Sequence, residues 1–327
     1  MWYPVFSYVP VMLVFETSFH RWFAERYGEQ ISRLAGYKMP NRPPQPGEKS
    51  IQDTFTDQWD EVQEDELSFT YSEEELVELN REVWLKWLRG SRQEEVKSIL
   101  DVGCGGLGRE ALVLQEVAGG DAEVFGIDLS FGLLRSSEAY KLRPGIHFVV
   151  ASLFNLPFRP SSFDLVYSEG VIMMSFSTAE AFRSIASYVR KGGYLFVWVY
   201  GLDDHLIRRG AKGVLTRINY TAEGVLRPLI SRSPKELRDA FFGVASTALH
   251  PLTLMRVRHK GRWKLKNTNH LLRDLLSHRY AHRHSYNEVL EWFDDLGFKI
   301  IDVQLPGAYR RLFNRQFWGV GMTGKKA

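Results

Sequence analysis

The sequence predicts an α/β protein built on a largely parallel sheet, and two observations lead to this prediction. Short apolar runs alternate with helix-periodic segments through the middle of the chain, as they do in parallel sheets whose crossovers are helices. The first of these runs ends in a cluster of glycines that opens a helix, which is typical of a nucleotide-binding turn. We therefore expect a Rossmann-like core that binds a nucleotide-containing ligand.

The glycine cluster is Asp101-Val-Gly-Cys-Gly-Gly-Leu-Gly108. Apolar residues in 96–102 predict the buried strand before it, and apolar positions at helical spacing from Ala111 to Val117 predict the helix after it. Glycines let the backbone adopt positive φ and approach a ligand closely, and a helix N-terminus offers unpaired N–H groups. The cluster is therefore a candidate ligand-binding loop.

An acidic residue ends the second predicted strand, Glu123–Asp128, 20 residues after Gly108 (128 − 108). A carboxylate there can accept two hydrogen bonds from a ribose diol, which suits adenosine in either NAD or S-adenosylmethionine (SAM). Asp101 favours SAM, because a carboxylate just before the first glycine can face the methionine ammonium. An NAD-binding domain, or a domain that has lost its ligand, is the alternative.

The other elements follow in chain order. Apolar runs predict five more strands, which make a sheet of seven, at 146–151, 163–168, 194–200, 299–305 and 317–322. A turn is expected at 191–193. Helical spacing predicts helices at 15–34, 73–88, 179–189, 206–215, 236–249, 271–276 and 286–296.

Two segments together resemble the class I SAM-dependent methyltransferases: Leu100-Asp-Val-Gly-Cys-Gly105 and Gly126-Ile-Asp-Leu-Ser130. The resemblance implies SAM as cofactor, S-adenosylhomocysteine (SAH) as its product, and a Rossmann-like seven-stranded sheet whose last strand is antiparallel. It also implies the cofactor-binding residues Asp101, Gly103, Cys104, Gly105, Gly108, Asp128, Leu129, Ser152, Leu153 and Ser168. One residue more separates the last two glycines than in the usual Asp-x-Gly-x-Gly-x-Gly pattern.

Ser152 departs from the resembled family. The turn after the third strand usually carries an aspartate there, which bonds the adenine amino group. A serine hydroxyl can still accept that bond, and Leu153 is placed to pack on the adenine ring.

Composition limits the alternatives. The chain has 327 residues, is 44% hydrophobic, and has a net charge of only +3, so it lacks a global polyanion-binding signature. Its single cysteine, Cys104, excludes an internal disulfide and a cysteine-rich zinc site, and we expect no metal. There is no apolar run of ~18 residues and no basic leader, so we expect a cytoplasmic protein.

We divide the chain into an N-terminal extension and linker (1–50), a helical cap segment (51–95), a SAM-binding core (96–201 and 284–327) and a basic helical insertion or lid (202–283). The insertion has 17 Lys/Arg and six Asp/Glu. In the cap segment, Phe55-Thr-Asp-Gln-Trp59 resembles the Phe-x-x-Gln-Trp segment of a small-molecule, methyltransferase type 11-like subgroup. That resemblance implies a segment folded over the cleft.

The expected function is methyl transfer from SAM to a small-molecule acceptor at oxygen, of the carbohydrate or secondary-metabolite type. Ser168-Glu-Gly-Val171 differs from the Asn/Asp-Pro-Pro-Tyr motif of adenine and glutamine N-methyltransferases. The alternative is a SAM-binding protein whose basic insertion engages nucleic acid, an anionic membrane or a lipid-linked substrate. Sparse aromatics in the insertion argue against nucleic acid, whereas peripheral membrane contact through 202–283 and a homodimer stay open.

Methylation of a hydroxyl needs a proton acceptor. His282 and His284 precede the last core helix, where the resembled subgroup has a similar His-x-His element. Tyr167 and Glu169, at the exit of the fourth strand, are the competing candidates. The sequence leaves the choice among these four open.

Overall fold

The structure is a computed structural model that describes residues 1–34, 36, 38–60, 72–136, 138–202, 210–255, 261, 263–304 and 319–327. Within these residues, strands β1 (Val5–Phe6) and β2 (Val9–Pro10) form a small hairpin. Seven strands form the main sheet: β3 (Ser98–Val102), β4 (Glu123–Asp128), β5 (Ile146–Val150), β6 (Phe163–Glu169), β7 (Val189–Tyr200), β8 (Phe298–Gln304) and β9 (Gly319–Lys326).

The strand order across the sheet is β5-β4-β3-β6-β7-β9-β8. Neighbouring strands from β5 to β7 pair in parallel, whereas β9 pairs antiparallel with both β7 and β8. The order reverses between β3 and β6, and the carboxyl ends of these strands open a crevice there. The predicted fold class, with its reversed last strand, is confirmed.

Helices surround the sheet. They are α1 (Ser18–Arg26), α2 (Gly28–Ser32), α3 (Glu48–Asp60), α4 (Glu73–Leu79), α5 (Ser91–Glu95), α6 (Arg109–Val117), α7 (Glu138–Lys141), α8 (Thr178–Ala186), α9 (Ala211–Ser231), α10 (Lys235–Leu254), α11 (Leu265–Leu276) and α12 (Tyr286–Asp295). Short 3-10 turns follow at Phe131–Arg135 and Ile172–Met174.

The core lies on both faces of the sheet because side chains alternate along each strand. Ile99 and Leu165 belong to the cluster that packs against α4 and α6, while Leu100 and Val166 belong to the cluster that packs against α8 and α12. All four side chains are fully buried. Burial on both faces explains why these strands are almost continuously apolar in the sequence.

The N-terminal extension packs onto the core. The Met12 N–H donates a 2.8 Å hydrogen bond to the Val150 carbonyl at the edge strand β5. Val11 and Leu13 are fully buried in the same cluster as the sheet. The helix predicted over 15–34 is broken into α1 and α2.

Several predicted boundaries are wrong. The helix expected over 73–88 ends as an α-helix at Leu79 and continues as a π-turn at Asn80–Trp84, where the Asn80 amide donates to the Leu76 carbonyl over 3.1 Å. The helix expected to reach residue 189 ends at Ala186, and β7 begins at 189 rather than 194. The turn expected at 191–193 lies inside β7, because Gly193 lets that strand approach Phe163 and Asp164 of β6 closely.

The described part of the insertion contains three long helices, α9, α10 and α11. The predicted helix 206–215 begins outside the described residues, and α9 extends to Ser231, well beyond the predicted end. Helices α9 and α10 both pack on α11, through Ile230, Phe242 and Leu276. None of the described helices combines the length and the apolar character that crossing a membrane requires.

Candidate functional site

The glycine loop connects β3 to α6 with the geometry that the sequence predicted. Gly103, Gly105 and Gly108 have φ of 82°, 74° and 69°, in the left-handed region that side chains disfavour. Cys104 is buried in this loop, and burial raises the pKa of its thiol well above the usual value. The thiol is therefore protonated at neutral pH, which suits packing better than nucleophilic chemistry.

Asp128 ties this loop to the second strand. Its carboxylate accepts a 3.1 Å hydrogen bond from the Gly105 N–H and a 2.8 Å bond from the Ser130 N–H. Burial nevertheless raises its pKa, since the desolvation effect exceeds that of these bonds. The position of Asp128 at the carboxyl end of β4 suits contact with a ribose.

A cleft with two lobes opens above the carboxyl ends of β3, β4 and β6. The first lobe, of about 1000 Å³, is mostly apolar, and its wall includes Leu129, Ala151, Leu153, Phe154, Val171 and Met174. The second lobe, of about 910 Å³, is more polar, and its wall includes Asp101, Cys104, Gly108, Glu110, Tyr167 and His270. Both lobes are lined by Trp59, Gly103, Gly105, Glu169 and Gly170, so they meet at the glycine loop.

Carboxyl groups crowd the junction of the lobes. Burial, and secondarily the nearby Glu110, Glu169 and Asp128, hold the pKa of Asp101 well above its usual range. Burial and the neighbouring Glu110 raise the pKa of Glu169 to about 8. Asp101 is 2% exposed, and its Oδ2 has no hydrogen-bond partner within the described part of the chain. An unpartnered carboxylate oxygen among other acids is a site that a cation would stabilise.

Helix α3 lies over the cleft and carries the Phe-x-x-Gln-Trp segment. Trp59 packs against the glycine loop, where a side chain at Gly106 would overlap its ring. Phe55 stacks on His278 with ring centroids 4.3 Å apart. The Gln58 amide nitrogen lies 3.4 Å from His270 Nε2 and 3.5 Å from Asp274 Oδ1. The segment thus connects the loop to helix α11 of the insertion.

A family model described as "Methyltransferase domain" matches residues 100–197. This range contains the glycine loop, Asp128, Ser152 and Glu169. Residues 100–197 therefore match the methyltransferase domain family. The prediction made from the two sequence segments is therefore confirmed for this part of the chain.

Curated relatives include ubiquinone biosynthesis O-methyltransferases. The protein of Ralstonia nicotianae is 30% identical over 148 residues, which are 44% of this chain and 57% of the relative. That of Burkholderia multivorans is 30% identical over 117 residues, which are 35% of this chain and 49% of the relative. This chain therefore matches about half the length of these relatives.

Solved structures of similar fold include the 1,6-didemethyltoxoflavin-N1-methyltransferase of Burkholderia thailandensis, with bound 1,6-didemethyltoxoflavin and SAH. It has a TM-score of 0.48 and 12% identity, over 89% of this chain and 93% of that chain.

The structure places most of the predicted cofactor residues of the methyltransferase domain around the cleft. Asp128, Leu129, Ser152 and Leu153 line the first lobe. Asp101, Cys104 and Gly108 line the second lobe, and Gly103 and Gly105 line both. Ser168 is different: it is fully buried, its hydroxyl donates to the Val102 carbonyl over 3.2 Å, and it lines neither lobe.

The predicted base candidates separate into two groups. Tyr167 and Glu169 line the second lobe together. His282 and His284 line neither lobe. The His282 Nε2 lies 3.1 Å from the Ser175 carbonyl, and the two ring nitrogens of His284 lie 2.9 Å from the Thr178 hydroxyl and 2.9 Å from a Glu288 carboxylate oxygen. As proton acceptors these two histidines remain a prediction.

Three residues at the cleft were not singled out from the sequence. Glu48 and Asp274 line the first lobe, and His270 lines the second. A helical spacing of four residues links His270, Asp274 and His278, and this regular spacing was the available signal. No sequence pattern pointed to Glu48, because it lies about 100 residues before Ser152, to which it is hydrogen-bonded.

Proposed function

We propose that this chain is a SAM-dependent methyltransferase that transfers a methyl group to a hydroxyl oxygen of a small molecule. The observation that carries the proposal is the cluster of Asp101, Glu110, Asp128 and Glu169 around the glycine loop. SAM has an ammonium, a sulfonium and one carboxylate, so its net charge is +1. A dinucleotide would instead bring its anionic pyrophosphate next to four carboxyl groups, which is unfavourable.

The two lobes fit the two halves of SAM. The apolar first lobe, with Asp128 at its edge, suits an adenosine whose diol donates to the carboxylate. The second lobe, with the unpartnered Asp101 Oδ2, suits the methionine ammonium. The residues present therefore fit this cofactor, and Asp101, Asp128 and Glu169 would hold its polar and charged groups.

The chemistry needs orientation more than covalent assistance. Bound SAM supplies a methyl group that is already electrophilic on its sulfonium. The protein positions the acceptor in line with that group and excludes water, and such positioning is a large source of rate acceleration. Trp59 and Phe55 on α3, with α11, form the cover of the cleft that performs this exclusion.

His270 is our candidate for the proton acceptor. It lines the second lobe beside Glu169, and burial lowers its pKa, so the imidazole is neutral at pH 7. Asp274, one turn further along α11, counteracts this lowering and can stabilise the imidazolium that forms. Gln58 lies near both side chains and can orient them. Glu169 is a poorer base, because it is largely protonated at pH 7 without a cation and paired with the cofactor's charge when one is bound.

Radiolabelled methyl transfer tests the proposal. The purified chain would be incubated with methyl-labelled SAM and a panel of catechols, phenols, sugars and amines. The proposal expects label in hydroxyl-bearing compounds, with one SAH formed per methyl transferred. SAM binding with labelling of amines alone would contradict O-methylation. The names of the curated O-methyltransferases support the hydroxyl acceptors, and a carbohydrate or secondary metabolite remains our expected acceptor type.

A second candidate function is contact of the insertion with an anionic membrane. Leu237, Phe241, Val244 and Leu252 on α10 are all exposed and follow the spacing of one helix face. The segment 256–266, directly after this helix, has six Lys/Arg and no Asp/Glu. An exposed apolar face that is followed in the sequence by a basic segment favours a lipid surface over nucleic acid.

Vesicle flotation tests this second candidate. The chain should float with vesicles containing phosphatidylglycerol and stay with the soluble fraction when the vesicles are phosphatidylcholine alone. Leu237→Ser combined with Val244→Ser should reduce flotation, whereas Leu142→Ser, at an exposed leucine of the core, should not. Equal flotation of both variants would contradict the assignment of the α10 face.

A further inference from the structure

A carboxylate from outside the methyltransferase domain occupies the position next to Ser152. Glu48 is the first residue of α3 and is only 4% exposed. It lines the first lobe together with Ser152, Leu153 and Phe154. The resembled family places an aspartate where this chain has Ser152. In this structure Glu48, from a distant part of the sequence, supplies a carboxyl group to the same region.

The hydrogen bonds around Ser152 and Glu48 determine which of the two side chains donates and which accepts. The Ser152 hydroxyl donates to Glu48 Oε1, and the same hydroxyl oxygen accepts the Phe154 N–H over 3.1 Å. Glu48 Oε2 accepts the Gln45 N–H over 2.8 Å. The proton of Ser152 is thus directed at Glu48, and its oxygen already accepts one bond. Each carboxylate oxygen of Glu48 has a further lone pair.

We propose that Glu48, oriented by Ser152, is the residue that accepts the hydrogen bond of the adenine amino group and sets the base specificity of the cofactor site. This inference rests on the proposed function, since it assumes that the first lobe takes adenosine. An amino group donates to the carboxylate, whereas the carbonyl oxygen of hypoxanthine would face it lone pair to lone pair. The site therefore discriminates adenine from hypoxanthine.

The assignment has a consequence for the N-terminal segment. Gln45 and Pro46 also line the first lobe, and Gln45 holds Glu48 through its backbone N–H. The cofactor site is therefore complete only when α3 is docked on the core.

Calorimetry with two ligands tests the inference without an acceptor. SAH and S-inosylhomocysteine differ in the base alone: at position 6, where an amino group is replaced by a carbonyl, and at the adjacent N1, which carries a proton in hypoxanthine. We expect the wild-type chain to bind SAH about 30-fold more tightly, the effect of one charge-assisted hydrogen bond. In Glu48→Gln this ratio should fall to about 3-fold or less, because an amide can turn its NH₂ toward a carbonyl. Asp53→Asn, at an exposed acid of the same helix, should keep the wild-type ratio.

The outcomes distinguish a failure of the proposed function from a failure of the role assigned to Glu48. Wild-type chain that fails to bind SAH would contradict the proposed function itself. SAH binding with the same ratio in the wild type and Glu48→Gln would overturn the role of Glu48 alone. Should Glu48→Gln fail to fold in thermal melting, Glu48→Asp carries the test. Its shorter side chain withdraws the carboxylate from the cleft, so a reduced ratio supports the inference and an unchanged one overturns it.

Discussion

The Tyr167 hydroxyl donates a 2.7 Å hydrogen bond to Glu169 Oε2 at the carboxyl end of β6. Tyr167 is 1% exposed, and burial raises the pKa of its hydroxyl well above the usual value. The phenol therefore keeps its proton and holds Glu169 in place facing the second lobe. Because Glu169 itself has a pKa of about 8, its charge state changes near neutral pH.

Cofactor binding should release a proton at pH 7. Glu169 is largely protonated in the free protein, and a bound cation lowers its pKa, while the α-amino group of SAM is already mostly protonated at this pH. We expect release of about one proton per SAM. Calorimetry in phosphate and in Tris, whose ionisation enthalpies differ, measures this number. Glu169→Gln should reduce it, and identical enthalpies of binding in both buffers would rule the linkage out.

The same carboxyl should lower stability as the pH rises. The pKa of Glu169 is about 8 in the fold against a usual value of 4.5, so its contribution is fully present below pH 4.5 and is lost as the pH rises through 8. Relative to wild type, Glu169→Gln should therefore gain on the order of 4 kcal/mol in unfolding free energy between pH 5 and pH 8.5. Urea unfolding at both pH values measures it. Glu180→Gln, at an exposed ion pair, is the control, and a gain of equal size there would refute the prediction.

Asp128→Ala should weaken SAH binding by about 2–3 kcal/mol, because the ribose diol loses charge-assisted hydrogen bonds. The Gly105 N–H would also lose its acceptor, which loosens the loop. Asp128→Asn keeps an acceptor oxygen for the loop but no charge, so its affinity should lie between those of the alanine variant and the wild type. Calorimetry that shows unchanged affinity in the alanine variant would exclude a role for Asp128.

His270→Gln should keep its SAH affinity but lose about 100-fold or more in turnover on a hydroxyl acceptor found in the panel. The loss should shrink as the pH rises, because the acceptor then ionises without assistance. His282→Ala and His284→Ala, at histidines that line neither lobe, provide the comparison. Full activity of His270→Gln, together with a loss of turnover in either alanine variant, would show that the proton acceptor is in the His282–His284 segment.

The features that the sequence predicted correctly are those that depend on neighbouring residues in the chain. The glycine loop, Asp128 and the positions of the strands along the chain follow from runs of neighbouring residues, and the positive φ values of Gly103 and Gly105 agree. The position of Glu48 and His270 could not be predicted in this way. They reach the cleft only through the docking of α3 and α11, which joins residues more than 100 positions apart. The early start of β7 was missed because Gly193 resembles a turn residue, although it permits close strand contact.

Calorimetric titration of the wild-type chain with SAH and with NAD shows which of the two cofactor types this cleft binds. The acids around the glycine loop and the unpartnered Asp101 Oδ2 favour the ammonium group that SAM and SAH share over a pyrophosphate. We expect SAH to bind with about micromolar affinity and NAD to give no heat of binding under the same conditions. NAD binding as tight as that of SAH, or no binding of SAH at all, would contradict the assignment of this cleft to SAM.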